Sequence, residues 1–529
     1  MRLYNVLFCG LLLSQSLFVD ASQSFAPSLS KPALDQQINT ILKEFNSPGM
    51  SIGVVHQGQV IHLEGYGVLD IVSKRPVTAS SLFRLASTSK AFTSMSLAML
   101  VDQGLINWHD KVIDHIPEFQ LADPWVTRQF RIIDLLTHNS GLMSGAGDEM
   151  LWPEPTGFSR EEIISKLKYL EPSYGYRSQF GYSNVFYIVA GQVVEKVTGV
   201  NWEQYVQDNI LKPLDMRCFA GDIAPEFLTN VATPYGDVDG KYFAIPRNGI
   251  FGKTTVSAAA GGMVCSAEGM TKWIQVLLNK GRIDDKRRLV SEKQFNQLTR
   301  SHTILSISDD QQALDNTHFR TYGLGWRKAD VQGFEVISHT GTLSGMQAYL
   351  AFVPELELGV IVLNNGSNGN ARKATMQTIL KAFMPAQQGQ DWVKTYKDIQ
   401  QRDLARYLAN RKPPVGTGEV TLSLSDYAGQ YHDNIMGDVS IVLKDGKLHI
   451  DVNKMVNMKG TLKPLQHNTF VTQWQNTNAA SKMLVRFTLG VDGSVSQFQF
   501  APFTLKKRKN YAYKDMVFKK QVSDSGVGQ

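Results

Sequence analysis

The segment FRLASTSKAFTS, residues 83–94, places five side-chain hydroxyls around one lysine. If Ser87 opens a helix, Ser87 and Lys90 stand three positions apart and their side chains meet on one face. A serine hydroxyl becomes a strong nucleophile when a base takes its proton, and a desolvated lysine can be that base. The apolar neighbours would supply the desolvation. The pair therefore indicates nucleophilic catalysis by Ser87 with Lys90, and Ser94 is a candidate supporting hydrogen-bond partner.

The Ser-x-x-Lys spacing is weak when it stands alone. Serine and lysine are common residues, and about two such matches are expected by chance in a chain of this length. The same spacing recurs at Ser28/Lys31 and Ser165/Lys168. An assignment to catalysis therefore needs further chemical groups elsewhere in the chain.

Two later segments carry such groups. Tyr182 and Asn184 stand two positions apart in the segment YSN, where the phenol could exchange a proton and the amide orient a carbonyl. His339 opens the segment HTGT after a β-rich run, and Gly341 lets a substrate approach the backbone there. Taken singly, a buried tyrosine with a capping asparagine and a structural histidine explain these segments better than catalysis does. Their order along the chain carries the argument.

Together, Ser87-x-x-Lys90, Tyr182-x-Asn184 and His339-x-Gly341 resemble the serine β-lactamase and penicillin-binding family, specifically its class C branch with the related DD-peptidases and esterases. Other segments look like family framework in the usual order. They are LLTHNSGL (135–142), AAAGGMVCSAEGM (258–270), YGLGW (322–326) and FVPELELGVIVLNN (352–365). The likeness covers roughly residues 30–385, and an appended β domain is similar to one found on some members.

The resemblance implies a role for each residue of the site. Ser87 would be the acylated nucleophile, and Lys90 and Tyr182 its proton-transfer partners. Asn184 would hold the substrate amide, and His339 would face the substrate carboxylate or the tyrosine hydroxyl. The backbone N–H groups of Ser87 and Thr342 would form an oxyanion hole. The resemblance implies no metal and no cofactor.

Two positions depart from the pattern of dedicated class C β-lactamases. Many of those enzymes have lysine where His339 stands, and an imidazole with a pKa near about 6.5 is mostly neutral at pH 7. Histidine is an accepted variant in peptidases and esterases, which favours peptide, amide or ester hydrolysis over efficient antibiotic destruction. Gly269 replaces a usually acidic residue, for which we expect only a local effect on its helix.

The hydropathy pattern predicts an α+β fold with an appended all-β domain. A helix over 34–45 and the hairpin Ser51–His56/Val60–Glu64 open the chain, and β-rich runs return at Phe334–Ser338, Met346–Val353 and Gly359–Leu363. These strands predict an antiparallel sheet flanked by helices, built from both ends of residues 22–385, with a mostly helical insertion. Residues 386–415 read as a linker with a helix around Trp392–Leu408, and residues 416–529 as a small all-β domain.

The chain ends carry targeting and charge signals. Arg2, an apolar run and small residues before Ala21 predict an export signal over residues 1–21, hence a periplasmic or secreted protein without a membrane span. The formal charge is +6, and residues 506–520 alone carry that excess. We expect this segment to be a solvated edge strand and tail; the alternative is weak contact with an anionic cell envelope. Nothing in the pattern indicates a nucleic-acid partner.

Cys218 and Cys265 are the two cysteines beyond the predicted signal. Two cysteines are too few for a disulfide framework. A single bridge is an open alternative, and we expect two isolated buried thiols.

Two functions from different classes are consistent with the sequence. The first is an exported serine hydrolase acting on a β-lactam, a D-amino-acid peptide or a carboxylic ester, with a small molecule or peptide as its binding partner. The second is a non-hydrolytic protein that recognises penicillin or binds the envelope with the same fold. The C-terminal domain could serve either as a lid or as a dimer interface.

Overall fold

The computed structural model describes residues 24–26, 28–245, 255–384, 389–476, 481–504 and 511–521. The predicted export signal lies outside these residues. Within the described part of the chain, no helix combines the length and hydrophobicity that a membrane crossing requires.

An eight-stranded antiparallel sheet forms the centre of the larger domain. Its first hairpin pairs with a strand contributed almost 300 residues later, because Gly49–His56 lies beside Leu358–Asn364. This arrangement confirms the predicted sheet built from both ends, with a mostly helical insertion between its parts. In spatial order the strands are Gln59–Gly67, Gly49–His56, Leu358–Asn364, Met346–Val353, Phe334–Leu343, Arg327–Val331, Arg320–Tyr322 and Thr303–Ile304.

Helices cover both faces of this sheet, since neighbouring residues of each strand point to opposite sides. On the strand Leu358–Asn364, Val360 and Val362 pack into one apolar cluster with the helices Lys31–Glu44 and Gly369–Ala382. Ile361 and Leu363 of the same strand pack into the other cluster, with the insertion helices. The α-helices are Lys31–Glu44, Lys90–Asp102, Val112–His115, Pro124–Gln129, Arg160–Lys166, Val185–Thr198, Trp202–Val206, Ala267–Leu278, Glu292–Thr299, Asp309–Asp315, Gly369–Ala382, Trp392–Asn410 and Leu424–Tyr427.

The C-terminal domain is a closed antiparallel barrel around aromatic side chains. Tyr427, Tyr431, Phe470, Phe487 and Phe498 form successive ring contacts inside it. The strands are Gly429–Asp433, Gly437–Lys444, Lys447–Val452, Lys459–Gln466, Thr469–Trp474, Met483–Leu489, Val495–Pro502 and Phe518–Lys520. The predicted all-β domain is thereby confirmed.

One part of that prediction is wrong. The basic C-terminal segment was expected to form an edge strand, but Phe518–Lys520 pairs with Gly429–Asp433 on one side and Val495–Pro502 on the other. These two pairings close the barrel. Phe518 is fully buried inside it and stacks on Phe498. The cations 506–509 lie outside the described residues.

The cysteines also correct an expectation. Cys218 and Cys265 form a disulfide, with Cα atoms 4.3 Å apart, instead of remaining isolated thiols. The backbone of Phe219 pairs with that of Val264, which brings the two cysteines together. Gly269 leaves room for the bridge, because a Cβ atom there would lie 2.6 Å from the Cys218 sulfur and 2.9 Å from the Cys265 sulfur. The glycine at position 269 therefore affects the packing of the disulfide, and not only the helix in which it lies.

The disulfide yields a test of the fold. The bridge closes a loop with a sequence separation of 47 residues. In the chain-entropy account such a loop stabilises the folded state by about 4 kcal/mol. We expect the intact mass of the oxidised protein to lie two hydrogens below that of the reduced protein, and Cys218→Ser to lower the midpoint of urea unfolding. An unchanged mass on reduction would show that the two cysteines are free thiols.

Candidate active site

Ser87 lies in a tight turn that leads into the helix Lys90–Asp102. Residues Ala86–Ser89 form a 3₁₀ turn, so the predicted helix start is displaced from Ser87 to Lys90. Ala86 adopts φ 48°, in the left-handed region that side-chain-bearing residues rarely occupy. Such backbone strain is concentrated at functional sites. Ser87 is the partly exposed hydroxyl of this turn and lines a cleft of about 1260 Å³.

Lys90 lies directly behind Ser87 and is completely buried. Its Nζ is 3.3 Å from Ser87 Oγ and donates to Asn184 Oδ1 and to the Ala260 carbonyl, both at 2.7 Å. Burial lowers the pKa of Lys90 well below its ordinary value, against the opposing charge of Asp148. A neutral amine has two N–H groups for the two carbonyl oxygens, which leaves its lone pair for Ser87. The geometry therefore suits Lys90 as a base toward the Ser87 hydroxyl.

Tyr182 lies beside this pair, and the Lys90 Nζ is 4.9 Å from the centre of its ring. Burial raises the pKa of Tyr182 to about 12, although a hydrogen bond with Ser87 opposes the shift. The phenol is therefore protonated at neutral pH and is suited to giving a proton rather than taking one.

Asn184 is held between Lys90 and a carboxylate that sequence reasoning missed. Its Oδ1 accepts from Lys90, and its Nδ2 donates to both carboxylate oxygens of Asp148 at 3.0 Å. Burial raises the pKa of Asp148 to about 6, against the hydrogen bond from Asn184. Asn184 also lines the cleft, so its fixed amide faces the space where a substrate carbonyl would lie.

His339 is 1% exposed and does not line the cleft. It ends a buried hydrogen-bond chain: the Ser183 N–H donates to His138 Nδ1, His138 Nε2 bonds the Tyr322 hydroxyl at 3.2 Å, and that hydroxyl bonds His339 Nε2 at 2.9 Å. His339 Nδ1 donates to the Thr340 carbonyl. The two backbone groups at the ends fix both tautomers, so Tyr322 accepts from His138 and donates to His339. Burial lowers the pKa of both histidines, which keeps them neutral.

Gly341 and Thr342 occupy the edge of the sheet beside the nucleophile turn. A Cβ atom on Gly341 would lie 2.1 Å from the Leu85 carbonyl oxygen, so this glycine lets the strand pack against the turn. The Leu85 carbonyl thus occupies the space beside Gly341 that was expected to admit a substrate. Thr342 lines the cleft, and its Oγ1 accepts from Arg372 Nη2 at 2.8 Å. Arg372 also donates to the Gly341 carbonyl and so anchors this edge.

Arg327 is the cation that faces the reacting groups. It lines the cleft, and its guanidinium carbon is 5.7 Å from the ring centre of Tyr182. Its Nη1 is buried and has no hydrogen-bond partner among the described residues. A buried donor without a partner is costly unless a ligand supplies the acceptor. Arg327 therefore brings a positive charge to the cleft beside Tyr182.

The site residues that the sequence did not predict differ in whether they lie in or beside a family framework segment. His138 and Tyr322 stand inside the segments LLTHNSGL and YGLGW, and Arg327 directly follows the second. Asp148 belongs to no such segment. Among the described residues, no group of three or more His, Cys, Asp or Glu side chains is arranged to hold a metal ion.

Comparison with known proteins agrees with the fold. The Beta-lactamase family matches residues 34–382, two thirds of the chain, and the chain belongs to that family. Residues 414–520 match a domain of unknown function, DUF3471. The protein is a serine hydrolase of the β-lactamase family with an appended barrel, as the order of motifs predicted.

Individual relatives extend the comparison. The unguisins hydrolase ungD of Aspergillus violaceofuscus is 28% identical over 78% of this chain and 77% of its own length. Protein flp of Staphylococcus aureus is 26% identical over 62% of this chain and 63% of its own. The octameric penicillin-binding protein homologue from Pyrococcus abyssi has a similar fold, with a TM-score of 0.58 and 20% identity over 93% of this chain and all of that one.

The chain through Tyr322 predicts a stability effect. Tyr322→Phe would leave the His138 Nε2–H without an acceptor and His339 Nε2 without a donor. Each unsatisfied buried group costs about 1–3 kcal/mol, so we expect the free energy of unfolding to fall by about 2–4 kcal/mol. Urea denaturation measures it. Tyr349→Phe is the control, because its hydroxyl makes no hydrogen bond to a described residue and its loss should matter little. Equal free energies of unfolding for the two variants would contradict the hydrogen-bond chain through Tyr322.

Asp148 predicts a shift in the pH dependence of activity. If unprotonated Lys90 is the base, the rate is lost as pH falls through its pKa. The Asp148 charge favours the ammonium and so raises that pKa. Asp148→Asn should lower it and move the acid limb of kcat/KM to lower pH, measured with p-nitrophenyl butyrate.

The neighbouring Glu149 provides the matched control. Burial raises the pKa of Glu149 to about 8, so its carboxyl is uncharged below that pH. Glu149→Gln should therefore leave the acid limb in place. An acid limb that moves to higher pH in Asp148→Asn would contradict the assignment of Lys90 as the base.

Proposed function

We propose that this protein is an exported serine hydrolase that forms an acyl-enzyme on Ser87 and releases the acyl group to water. One observation carries the proposal: a buried Lys90 amine lies 3.3 Å from Ser87 Oγ while its two shorter hydrogen bonds end on carbonyl oxygens. That arrangement supports proton removal from the hydroxyl at the moment of attack. The two named unguisins hydrolases among the relatives support hydrolysis in general.

In the acylation step, Ser87 Oγ attacks the substrate carbonyl carbon as its proton passes to Lys90 Nζ. The carbonyl electrons move to oxygen, where the backbone N–H groups of Ser87 and Thr342 would stabilise the charge. Collapse of this intermediate breaks the bond to the leaving group. Tyr182, protonated at neutral pH, gives the leaving nitrogen or oxygen its proton, and Lys90 returns the phenol proton. In deacylation water takes the place of Ser87, and the same two groups move the protons back.

Arg327 supports a narrower substrate class. The guanidinium of Arg327 lies beside the ring of Tyr182 and the residue lines the cleft, so its charge is placed to attract a substrate carboxylate near the scissile bond. His339 is neutral and buried, and does not supply that charge. We therefore propose amides, peptides or esters that carry a carboxylate next to the leaving group, a class that includes D-amino-acid peptides and β-lactams. Residues 1–21 support export to the periplasm or medium.

A panel of substrates tests the proposal. Nitrocefin, a D-Ala-D-Ala peptide and p-nitrophenyl butyrate are compared on the mature protein, with acyl adducts followed by intact mass. We expect Ser87→Ala to lose at least about a thousandfold of every measurable rate, because the nucleophile is gone. Ser96→Ala is the control: it lies on the same helix, its hydroxyl bonds the Phe92 carbonyl, and it does not line the cleft.

Three outcomes separate the alternatives. Turnover with a transient adduct on Ser87 supports hydrolysis. A persistent one-to-one adduct without turnover would favour a penicillin-trapping protein. Unchanged turnover in Ser87→Ala would overturn the assignment of the nucleophile.

A further inference from the structure

The cleft at Ser87 is built by both domains. Ser87, Tyr182, Asn184 and Arg327 line its inner part. Residues of the barrel and of the end of the helix Trp392–Asn410 form its outer wall. These include Tyr407, Arg411, Lys482, Met483, Phe503 and Tyr511. At about 1260 Å³ the cleft exceeds the 300–1,000 Å³ of typical small-molecule sites, so it has room beyond the scissile bond.

Specific contacts fix the barrel against the segment that lines the cleft. The Gly157 N–H donates to the Lys454 carbonyl at 2.6 Å, and Asn457 Nδ2 donates to the Glu154 carbonyl at 2.5 Å. Lys454 also forms an ion pair with Glu162 at 2.8 Å. These bonds join the barrel to the loop and helix beside Ser87. The barrel wall is therefore a constant part of the cleft.

Of the acidic side chains that line the cleft, Glu149 and Glu154 are buried and Asp148 is partly buried. Asp148 accepts from Asn184, and Glu154 forms an ion pair with Arg84 at 2.9 Å. Glu149 is 7% exposed, and burial raises its pKa to about 8, so it is neutral at pH 7. These groups add little negative charge to the open space.

The cations are placed differently. Arg327 faces the inner cleft, whereas Arg411 and Lys482 are exposed on the outer wall. Arg411 contacts the Tyr407 ring and donates to its hydroxyl at 3.2 Å. Neither Arg411 nor Lys482 has a carboxylate partner among the described residues. Two separate positions of the same cleft thus present positive charge that the protein does not neutralise.

We propose that Arg411 and Lys482 form a second anion subsite, and that the substrate carries a second carboxylate on its acyl portion. The proposal rests on the hydrolase function above, in which Arg327 takes the carboxylate beside the leaving group. The acyl portion then extends toward the barrel wall, where Tyr407, Met483 and Phe503 contact its apolar part. An acidic peptide, or an acyl donor with a terminal carboxylate, fits both ends.

A pair of penicillins tests the subsite. Carbenicillin is benzylpenicillin with a second carboxylate on the acyl side chain, so the pair differs in that charge. Their acylation of wild-type protein and of the double variant Arg411→Gln/Lys482→Gln is followed by intact mass. Their binding to the Ser87→Ala protein, with and without the double change, is measured by calorimetry. Lys444→Gln/Lys447→Gln, on a barrel hairpin away from the cleft, removes the same net charge as the control.

We expect wild-type protein to favour carbenicillin, and the double variant to lose about fivefold of that preference, the size of two exposed ion pairs. Hydrolysis of p-nitrophenyl butyrate, which has no carboxylate, should stay within twofold. High salt should reduce the preference by screening.

Three results would overturn the subsite. They are no preference in the wild type, the same loss in the Lys444→Gln/Lys447→Gln control, and no binding of either penicillin to Ser87→Ala protein. Failure of the hydrolase function is read separately, as unchanged p-nitrophenyl butyrate turnover in Ser87→Ala, and leaves the calorimetric preference measurable.

Discussion

The amino group of Lys90 has no contact with water, so the protein itself has to satisfy it. Moving an ammonium from water into a protein interior costs several kcal/mol even after relaxation, and releasing its proton avoids most of that cost. Three hydrogen-bond partners meet at this nitrogen from distant parts of the chain: Ser87, Asn184 and Ala260. The same burial that makes Lys90 expensive to protonate favours the neutral amine, the form that can act as a base. Stability and chemistry therefore depend on one set of contacts.

The fold is arranged around this requirement. The strand edge at Gly341 packs on the Leu85 carbonyl, which holds the turn that carries Ser87. Ala86 accepts a left-handed backbone in the same turn, and Arg372 ties the strand edge from behind. The neutral chain of His138, Tyr322 and His339 fills the space behind Tyr182 without adding charge near Lys90. Each of these contacts keeps Lys90 in an apolar environment with fixed hydrogen-bond partners.

The sequence predicted the parts of this arrangement that depend on local spacing. The Ser87–Lys90 pair, the strands from both ends and the barrel turns follow from periodicity and from motif order. Asp148 and Arg327 were missed because their importance comes from burial and from the partners they meet across the fold. The disulfide was missed for the same reason: 47 residues separate its cysteines, and the pairing of Phe219 with Val264 joins them. Gly341 was predicted as a site residue, but its contact with the Leu85 carbonyl depends on the fold and could not be predicted from local spacing.

The distribution of charge distinguishes the two parts of the cleft. Acids near Ser87 are buried, so they tune the pKa of Lys90 and orient Asn184 instead of attracting solute. The cation Arg327 lines the inner part of the open space, and Arg411 and Lys482 are exposed at its outer part. A cleft with that polarity attracts anions at both ends, while burial favours the neutral form of Lys90. The barrel therefore contributes to the electrostatics of the site through residues that never approach the scissile bond.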